Sequence, residues 1–342
     1  MISRVPRFAR ASDTAGRPGG LGGRFFSAAG QNQLIQQKSG VGILKELVAF
    51  YRRLACHPVP IILAAAFVAA KVWSNTTYGG SLVNGLRSGL MGIVVYGLAL
   101  GVIYLLSEKP LGNNFAAQKL ASREARRGTV LTLIVYLFIL GSIVDRLQRE
   151  GFVAGEPLFS FIPGWIFWQN LLQESPGGYM TANILRSLPF LVLIPALGLY
   201  RLGVQWGEFG LFGGDLKPAI PFLLIYMTAF LCTGLTAERW IFLLYAVLYS
   251  GFQEEFFFRG VMQPLFISVT KKPFWGIGLS VCFFAFLHIP DFVFRVYSTV
   301  PLALSSVAST AMFGALMAFG VYRTGMLWPW MLIHALSNVV GF

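Results

Sequence analysis

The chain has 342 residues, of which 56% are hydrophobic and only 12% are charged, and its mean hydropathy is +0.66. Soluble domains carry charge on about a quarter of their residues, so this composition excludes an ordinary soluble protein. Continuous apolar stretches approach the roughly 20 residues that a helix needs to cross a bilayer. A β-barrel would instead show shorter segments of alternating polarity. The sequence therefore predicts an all-α fold, a polytopic membrane helical bundle.

The formal net charge of +13 comes from basic residues that are scattered over short loops and the N-terminus. A nucleic-acid-binding protein would collect such residues in a stripe on a soluble motif. We therefore expect no nucleic acid as a partner, and the lipid bilayer is the expected environment. Cys56, Cys232 and Cys282 are widely spaced and form neither a disulfide framework nor a zinc-binding spacing.

Residues 1–26 are typical of a transit peptide that directs a protein to an organelle. They contain five arginines and a single acid, and no apolar signal core follows. The segment Arg24-Phe25-Phe26-Ser27 resembles a mitochondrial processing signal, which predicts cleavage after Phe26. A disordered basic tail and a chloroplast transit peptide are the alternatives. Residues 27–57 are interpreted as a polar and amphipathic lead-in.

Apolar stretches after residue 57 predict about eight or nine transmembrane helices. The predicted spans are 58–73, 88–106, 129–145, 183–200, 218–235, 240–258, 274–289, 301–322 and 326–341. Residues 152–172 are apolar but broken by Gly and Pro, and Trp165 and Trp168 favour an interfacial or re-entrant segment. Basic loops alternate with acidic ones, and this bias places the N-terminal side in the mitochondrial matrix or its equivalent.

One apolar, aromatic-rich stretch at 245–260 holds two adjacent carboxylates, Glu254 and Glu255, and the guanidinium of Arg259. An ionised side chain in hydrocarbon costs between about 2.5 and more than 10 kcal/mol, so such residues are functional candidates. On a helix, Glu255 and Arg259 form an i, i+4 pair. Glu254 is rotated by about 100° from Glu255 and lacks that partner. The pattern predicts one neutralised acid and one available acid.

Two further apolar helices each carry a histidine in a pair of residues at the same spacing. Phe284 and His288 are i and i+4 in the first helix, and His334 and Asn338 are i and i+4 in the second. Each signal alone is also typical of a buried packing residue or an interhelical hydrogen bond. Together with the acids and the arginine, these groups cannot all face lipid. We therefore expect them to converge on an internal polar cavity.

Such a cavity would contain the groups that peptide hydrolysis requires. A carboxylate and an imidazole can together deprotonate a water molecule. A second imidazole and an amide can donate hydrogen bonds to the developing oxyanion. No Ser, Cys or Thr lies in a recognisable nucleophile motif, so direct attack by water is favoured over an acyl-enzyme.

The three motifs resemble those of the CPBP family, which includes CAAX prenyl proteases of the second type and the bacteriocin-processing, Abi-like intramembrane proteases. The family pattern is EExxxR, then FxxxH, then HxxxN/D. It is matched by Glu254, Glu255 and Arg259, by Phe284 and His288, and by His334 and Asn338. The resemblance covers about residues 240–341 and implies a protease core at 183–342. The N-terminal membrane region at 58–182 has no counterpart that we recognise.

The resemblance also implies catalytic roles. Glu254 would activate the hydrolytic water with His288, while His334 and Asn338 would form the oxyanion site. A glutamate-type enzyme of this kind needs no metal or other cofactor. The alternative is a zinc site with Glu254, His288 and His334 as ligands, although no HExxH motif is present.

Three further motif residues would support this site. Glu255 together with Arg259 would hold the helix and orient Glu254, in agreement with the partner asymmetry described above. Phe284 would line the wall of the cavity.

The N-terminus and the resemblance point to different compartments. CAAX processing is associated with the endoplasmic reticulum, whereas residues 1–26 indicate an organelle of endosymbiotic origin. We therefore expect a multi-pass protein of the mitochondrial inner membrane, with the chloroplast or the endoplasmic reticulum membrane as alternatives. The expected substrate is a membrane-associated protein that is not a prenylated CAAX protein.

Two other functions fit parts of the sequence. The chain could be a non-catalytic assembly factor or complex subunit that retains the fold, with its N-terminal spans docking other membrane proteins. A transporter with a buried Glu/His proton relay is the third reading, but the inverted repeats typical of transporters are missing.

Overall fold

The computed structural model describes residues 40–107, 120–162 and 178–341, together with residues 115, 164, 165 and 167. The predicted transit peptide, the first part of the lead-in and Trp168 lie outside the described residues. The described residues from Ile43 onward belong to one compact unit, which contains the bundle.

Every regular element among the described residues is helical. The α-helices of eight residues or more, in chain order, are α1 (Gly40–Cys56), α2 (Pro58–Thr77), α3 (Leu82–Leu106), α4 (Ser122–Arg149), α5 (Gly178–Leu188), α6 (Ile194–Arg201), α7 (Ile220–Cys232), α8 (Ala237–Ala246), α9 (Gln263–Thr270), α10 (Pro273–Leu287), α11 (Val300–Thr324) and α12 (Trp328–Val340). A π-helical turn, Pro189–Leu193, joins α5 to α6, and two π-helical stretches, Val247–Glu254 and Phe256–Met262, join α8 to α9.

Seven helices in the described residues are long and apolar enough to cross a membrane, which confirms the predicted all-α polytopic bundle. They are Pro58–Thr77, Leu82–Leu106, Ser122–Arg149, Met180–Arg201, Ala237–Thr270, Pro273–Val296 and Val300–Thr324.

The predicted spans at 218–235, 240–258 and 326–341 have different lengths in the structure. The apolar helix Lys217–Cys232 is shorter than a full span, and α12 has 13 residues. The span predicted at 240–258 continues to Thr270 as a helical segment of 34 residues. The short helix α12 packs against this long segment, and Lys217–Cys232 packs against α12. Contacts with neighbouring helices therefore hold both short helices in the bundle.

Burial separates a central group of helices from a peripheral pair. Half of the apolar window in Ala237–Thr270 and in Val300–Thr324 is buried, compared with 11% in α2 and 17% in α3. The centre contains the consecutive phenylalanines Phe256, Phe257 and Phe258, all buried. In α2 and α3 the apolar side chains face outward, as lipid contact requires, and this pair packs on the bundle through α11.

Asp145, near the end of α4, organises the segment that follows the helix. Its buried carboxylate accepts hydrogen bonds from Arg149, from the backbone N–H of Phe159 at 2.7 Å and from Trp165 Nε1 at 3.0 Å. Residues 151–162 form turns rather than a helix. The rest of the segment that we interpreted as re-entrant lies largely outside the described residues.

The glycine-rich segment at 206–217 packs against the turn between α11 and α12. The backbone N–H of Leu327 donates to Gly210 O at 2.7 Å, and the N–H of Asp215 donates to Thr324 O at 2.9 Å. Gly214 has φ +128°, and an added Cβ would collide with the Thr324 carbonyl. Glycine is required there because the backbones approach closely and φ is positive.

Gly320 in α11 is the point of closest approach to the buried indole of Trp330. A Cβ at this position would overlap the ring, and the ring is fixed by a 3.0 Å hydrogen bond from Nε1 to Thr324 Oγ1. We expect Gly320→Ala to lower the stability of the bundle by about 1–3 kcal/mol, the usual cost of overpacking a rigid core. Thermal unfolding of the purified protein in detergent measures the change.

Gly97→Ala in α3 is the matched control. A Cβ at Gly97 meets no described residue within 4 Å beyond its own helix, and alanine favours a helix interior over glycine. We expect this variant to melt at or above the temperature of the unmodified protein. Equal loss of stability in both variants would contradict the packing assigned to Gly320.

Candidate active site

The first acidic motif lies where the long central helix changes its winding. The stretches Val247–Glu254 and Phe256–Met262 are π-helical, and Glu255 lies at their junction. π-Helical turns inside α-helices occur frequently at functional sites. Glu254 retains 8% of its accessible surface, whereas Glu255 has none. The two neighbouring carboxylates therefore have different surroundings.

Glu255 is the centre of a buried ion cluster. Its Oε1 atom accepts a hydrogen bond from Arg259 Nη1 at 3.0 Å and lies 2.7 Å from His334 Nδ1. A carboxylate can only accept, so Nδ1 of His334 carries the proton and donates it. The pairing with Arg259 matches the i, i+4 pattern seen in the sequence. The link to His334 is 79 positions away along the chain and has no sequence signal.

Arg259 extends the cluster to α10 and α11. Its Nη2 atom donates to Gly314 O at 3.3 Å, and its guanidinium lies 4.1 Å from the centre of the Phe284 ring. A Cβ at Gly314 would come within 2.9 Å of Phe284 and 3.0 Å of Arg259. The guanidinium therefore occupies space that is free because residue 314 has no side chain, and the ring of Phe284 covers it. A cation over an aromatic face is attracted by the ring quadrupole, which makes the face of the neutral ring partially negative.

Phe284 lies between the two candidate histidines. The centre of its ring is 4.9 Å from the His288 ring and 5.9 Å from the His334 ring. Nδ1 of His288 is 2.8 Å from Phe284 O, and since a carbonyl only accepts, Nδ1 donates this hydrogen bond. In the neutral form of each histidine, Nε2 is then the ring nitrogen with a free lone pair.

Asn338 is joined to the acidic helix through Ser250. Nδ2 of Asn338 donates to Ser250 Oγ at 2.8 Å, and Ser250 Oγ donates to Ala246 O at 3.0 Å. Ser250 lies one turn before Glu254. The Asn338 amide carries a second hydrogen on Nδ2 that this contact does not use. Ser250 was missed in the sequence, although its position four residues before an intramembrane acid was a usable signal.

Glu254 lies within electrostatic range of both histidines, of Glu255 and of Arg259. It also lines a cavity of about 80 Å³ together with Leu287, the residue that precedes His288. A water molecule occupies roughly 30 Å³ in the liquid, so this space accommodates water next to the carboxylate. Among the described lining residues, Glu254 is the one that belongs to a motif. The hydrogen bonds and ring contacts given above bring the three motifs to one region of the bundle.

One wall of the cavity comes from α4 and α5, outside the motifs. Arg146, Asn183, Arg186 and Ser187 line it. Asn183 and Ser187 are i and i+4 on a stretch that we had predicted only as an apolar span, so their spacing was an overlooked signal. Gln253, next to Glu254, donates from Nε2 to Ile184 O at 3.2 Å and ties the acidic helix to α5.

Arg146 is fixed at the edge of this wall. It donates from Nη2 to both carboxylate oxygens of Asp291, at 2.6 and 2.7 Å. The pair connects the end of α4 to the segment that follows His288.

The donor atoms do not form a ready metal site. Within the described ranges, no group of three or more His, Cys, Asp or Glu side chains has the arrangement to hold a metal ion. Of the alternative zinc ligands, His334 uses Nδ1 for Glu255 and His288 uses Nδ1 for the backbone. Independence of metal stays a prediction.

Comparison with known families supports the resemblance found in the motifs. Residues 236–340 match the model of a family described as Type II CAAX prenyl endopeptidase Rce1-like. This match confirms the predicted resemblance for the part of the chain that carries all three motifs, from α8 to α12. No curated protein and no solved structure matches the chain.

We expect Arg259→Ala to be strongly destabilising. The substitution leaves the fully buried carboxylate of Glu255 with one partner instead of two, and breaking a buried ion pair typically costs about 3–5 kcal/mol. Thermal unfolding in detergent and the yield of folded protein measure the effect.

Arg295→Ala is the matched comparison, because Arg295 also forms an i, i+4 pair with an acid, Asp291, but at 3.4 Å and with about a third of its side chain exposed. Exposed pairs contribute about 0–1 kcal/mol. Similar losses of stability in the two variants would show that Arg259 does not have the structural role assigned to it.

Proposed function

We propose that this protein is an intramembrane endopeptidase of the glutamic type, which hydrolyses a peptide bond of a membrane-associated protein with an activated water. The match over residues 236–340 supports membrane endopeptidase activity. The observation that carries the mechanism is the position of Glu254. It lines a cavity within the bundle and lies in electrostatic range of two imidazoles, while Glu255 is occupied by its own partners.

In the proposed reaction, Glu254 and His288 remove a proton from a water molecule in the cavity. The water oxygen attacks the carbonyl carbon of the peptide, and the carbonyl oxygen becomes an oxyanion. The carbon–nitrogen bond then breaks, and the proton taken from water passes to the leaving amine. The lone pair on Nε2 of His288 suits this proton transfer because Nδ1 is held by the backbone.

His334 and Asn338 are proposed as the donors to the oxyanion. Asn338 has an unused hydrogen on Nδ2. His334 already donates from Nδ1 to Glu255, so it can donate from Nε2 only as an imidazolium. The Glu255 carboxylate at 2.7 Å supplies the counter-charge for that form. Glu255 and Arg259 therefore support the site through His334 as well as through the helix that carries Glu254.

The substrate is proposed to enter between the motif helices and the wall formed by α4 and α5. This wall lies outside the segment that matches the family. The substrate therefore need not be a prenylated CAAX protein. With the Arg-rich N-terminus, we place the protein in the mitochondrial inner membrane, after removal of residues 1–26. The lead-in at 27–57, the N-terminal membrane region at 58–182 and the protease core at 183–342 complete the proposed organisation.

We expect Glu254→Gln to reduce cleavage about 100-fold or more, because the amide cannot accept the proton of the attacking water. The fold should survive, since Glu254 is not part of the Glu255 ion cluster. The measurement is a proteomic comparison of membrane-protein termini in cells that express the unmodified protein or the variant. A peptide from the affected substrate then serves for rates with purified protein.

Glu238→Gln is the control, because it removes one carboxylate from an exposed helix start far from the motifs. It should leave the termini unchanged. Unchanged cleavage by Glu254→Gln would reject the hydrolase proposal. If the protein also copurified as a stoichiometric subunit of a membrane complex, the assembly-factor alternative would replace it, and pH-driven flux in vesicles would favour the transporter.

We also expect metal chelation to leave the activity unchanged within about twofold. The reason is that carboxylate and imidazole can activate water without a Lewis acid. The measurement is the cleavage rate after treatment with 1,10-phenanthroline, accompanied by elemental analysis of the purified protein. Loss of activity that zinc restores would instead assign Glu254, His288 and His334 as metal ligands.

A further inference from the structure

A second cavity, of about 200 Å³, lies at another place in the bundle and shares no lining residue with the cavity at Glu254. Its polar lining consists of Arg53, Tyr104, Tyr322 and Arg323. The remaining walls are apolar and include the rings of three phenylalanines, Phe50, Phe274 and Phe319. The chemistry of this cavity has no part in the proposed hydrolysis.

The cavity is formed by helix ends. Arg53 is in the last turn of α1, Tyr104 in the last turn of α3, Pro273 begins α10 and Arg323 is in the last turn of α11. Of these four helices, α3, α10 and α11 belong to membrane-spanning candidates. Because their ends meet here, the cavity lies at the depth of lipid headgroups rather than in the hydrocarbon. Tyrosine is also typical of that depth.

Arg323 gives the cavity a buried positive charge. It is 8% exposed, and its guanidinium donates from Nε to Ser107 Oγ at 2.6 Å and from Nη2 to Ser107 O at 3.0 Å. Its carbon Cζ lies 4.9 Å from the centre of the Tyr104 ring. These partners are neutral, and within the described part of the chain Arg323 forms no ion pair. The serine contacts fix the orientation of the guanidinium, and no acid among the described residues compensates its charge.

Further basic residues surround the opening. Arg53 is exposed, and Lys271 and Lys272 directly precede Pro273. The acid of α1, Glu46, lies two turns before Arg53 and is exposed. Among the described residues around this cavity the balance of charge is therefore cationic. Basic pockets between transmembrane helices at this depth are suited to anionic lipid headgroups.

The apolar walls favour a lipid over a free anion as the ligand of this cavity. Phe50 stacks on Tyr104 with ring centres 4.3 Å apart and contacts Phe319 at 5.7 Å, and all three line the cavity. A site for inorganic phosphate would gain nothing from such walls, whereas the glycerol and first acyl carbons of a phospholipid bury apolar surface against them.

We propose that this cavity binds the phosphodiester headgroup of an anionic phospholipid, with Arg323 as the fixed cation and Arg53 as the cation at the opening. The bound lipid would connect α1, α3, α10 and α11 at the basic end of the bundle. The inference is independent of the proposed hydrolase function.

The test uses native mass spectrometry of the purified full chain with added phosphatidylglycerol, phosphatidylcholine or inorganic phosphate. We expect the unmodified protein to retain phosphatidylglycerol at least fivefold better than phosphatidylcholine. Arg53→Gln should weaken this retention about fivefold, the effect of one cation near an anionic surface. Arg53→Lys should retain most of the binding, since the charge is kept.

Arg52→Gln is the matched control, because Arg52 is also exposed on α1 but does not line the cavity. It should change retention by less than twofold. If Arg53→Gln and Arg52→Gln weakened the retention of phosphatidylglycerol equally, the lipid would be attracted to the basic surface in general. That result would overturn the proposed site. If the protein retained phosphatidylcholine as well as phosphatidylglycerol, the proposed selection for an anionic headgroup would be overturned. Binding of inorganic phosphate that displaces the lipid would assign the cavity to a free anion.

Discussion

The buried ion cluster around Glu255 is the constraint on which the arrangement of the central helices depends. A carboxylate without solvent exposure is held by a guanidinium and an imidazole, and these three groups come from two separate helices. Taking charged groups out of water is costly unless each finds a partner. Any displacement of α12 or of the acidic helix would leave a buried charge unpaired. The cluster therefore fixes the relative position of the elements that carry Glu254 and His334.

Around this cluster the structure combines rigid packing with a small polar space. Arg259 is held between the Phe284 ring and the slot that Gly314 leaves open. Phe284 in turn contacts both imidazoles. The same aromatic side chain thus supports the guanidinium and positions the two candidate histidines. Such support of functional groups by packed neighbours is what keeps a site within the narrow geometry that chemistry requires.

The helices outside the family match have a different relation to the bundle. The pair α2 and α3 is largely exposed, whereas α4 and α5 form one wall of the cavity at Glu254. The hydrogen bond from Gln253 to Ile184 O and the ion pair of Arg146 with Asp291 bind this wall to the motif helices. The N-terminal region therefore contributes directly to the candidate site and is more than a membrane anchor.

The sequence by itself determined the fold class, because continuous apolar stretches and scarce charges allow few alternatives to a helical bundle in a membrane. It also determined the residues that had to be internal and the pair of Glu255 with Arg259, since spacing of i and i+4 is a local property of helices. Only the tertiary structure decided that His334 is a partner of Glu255 and that Ser250 holds Asn338. It also decided that α4 and α5 line the cavity. These contacts join residues far apart in the chain, and their formation depends on how helices pack, which periodicity along one helix does not encode.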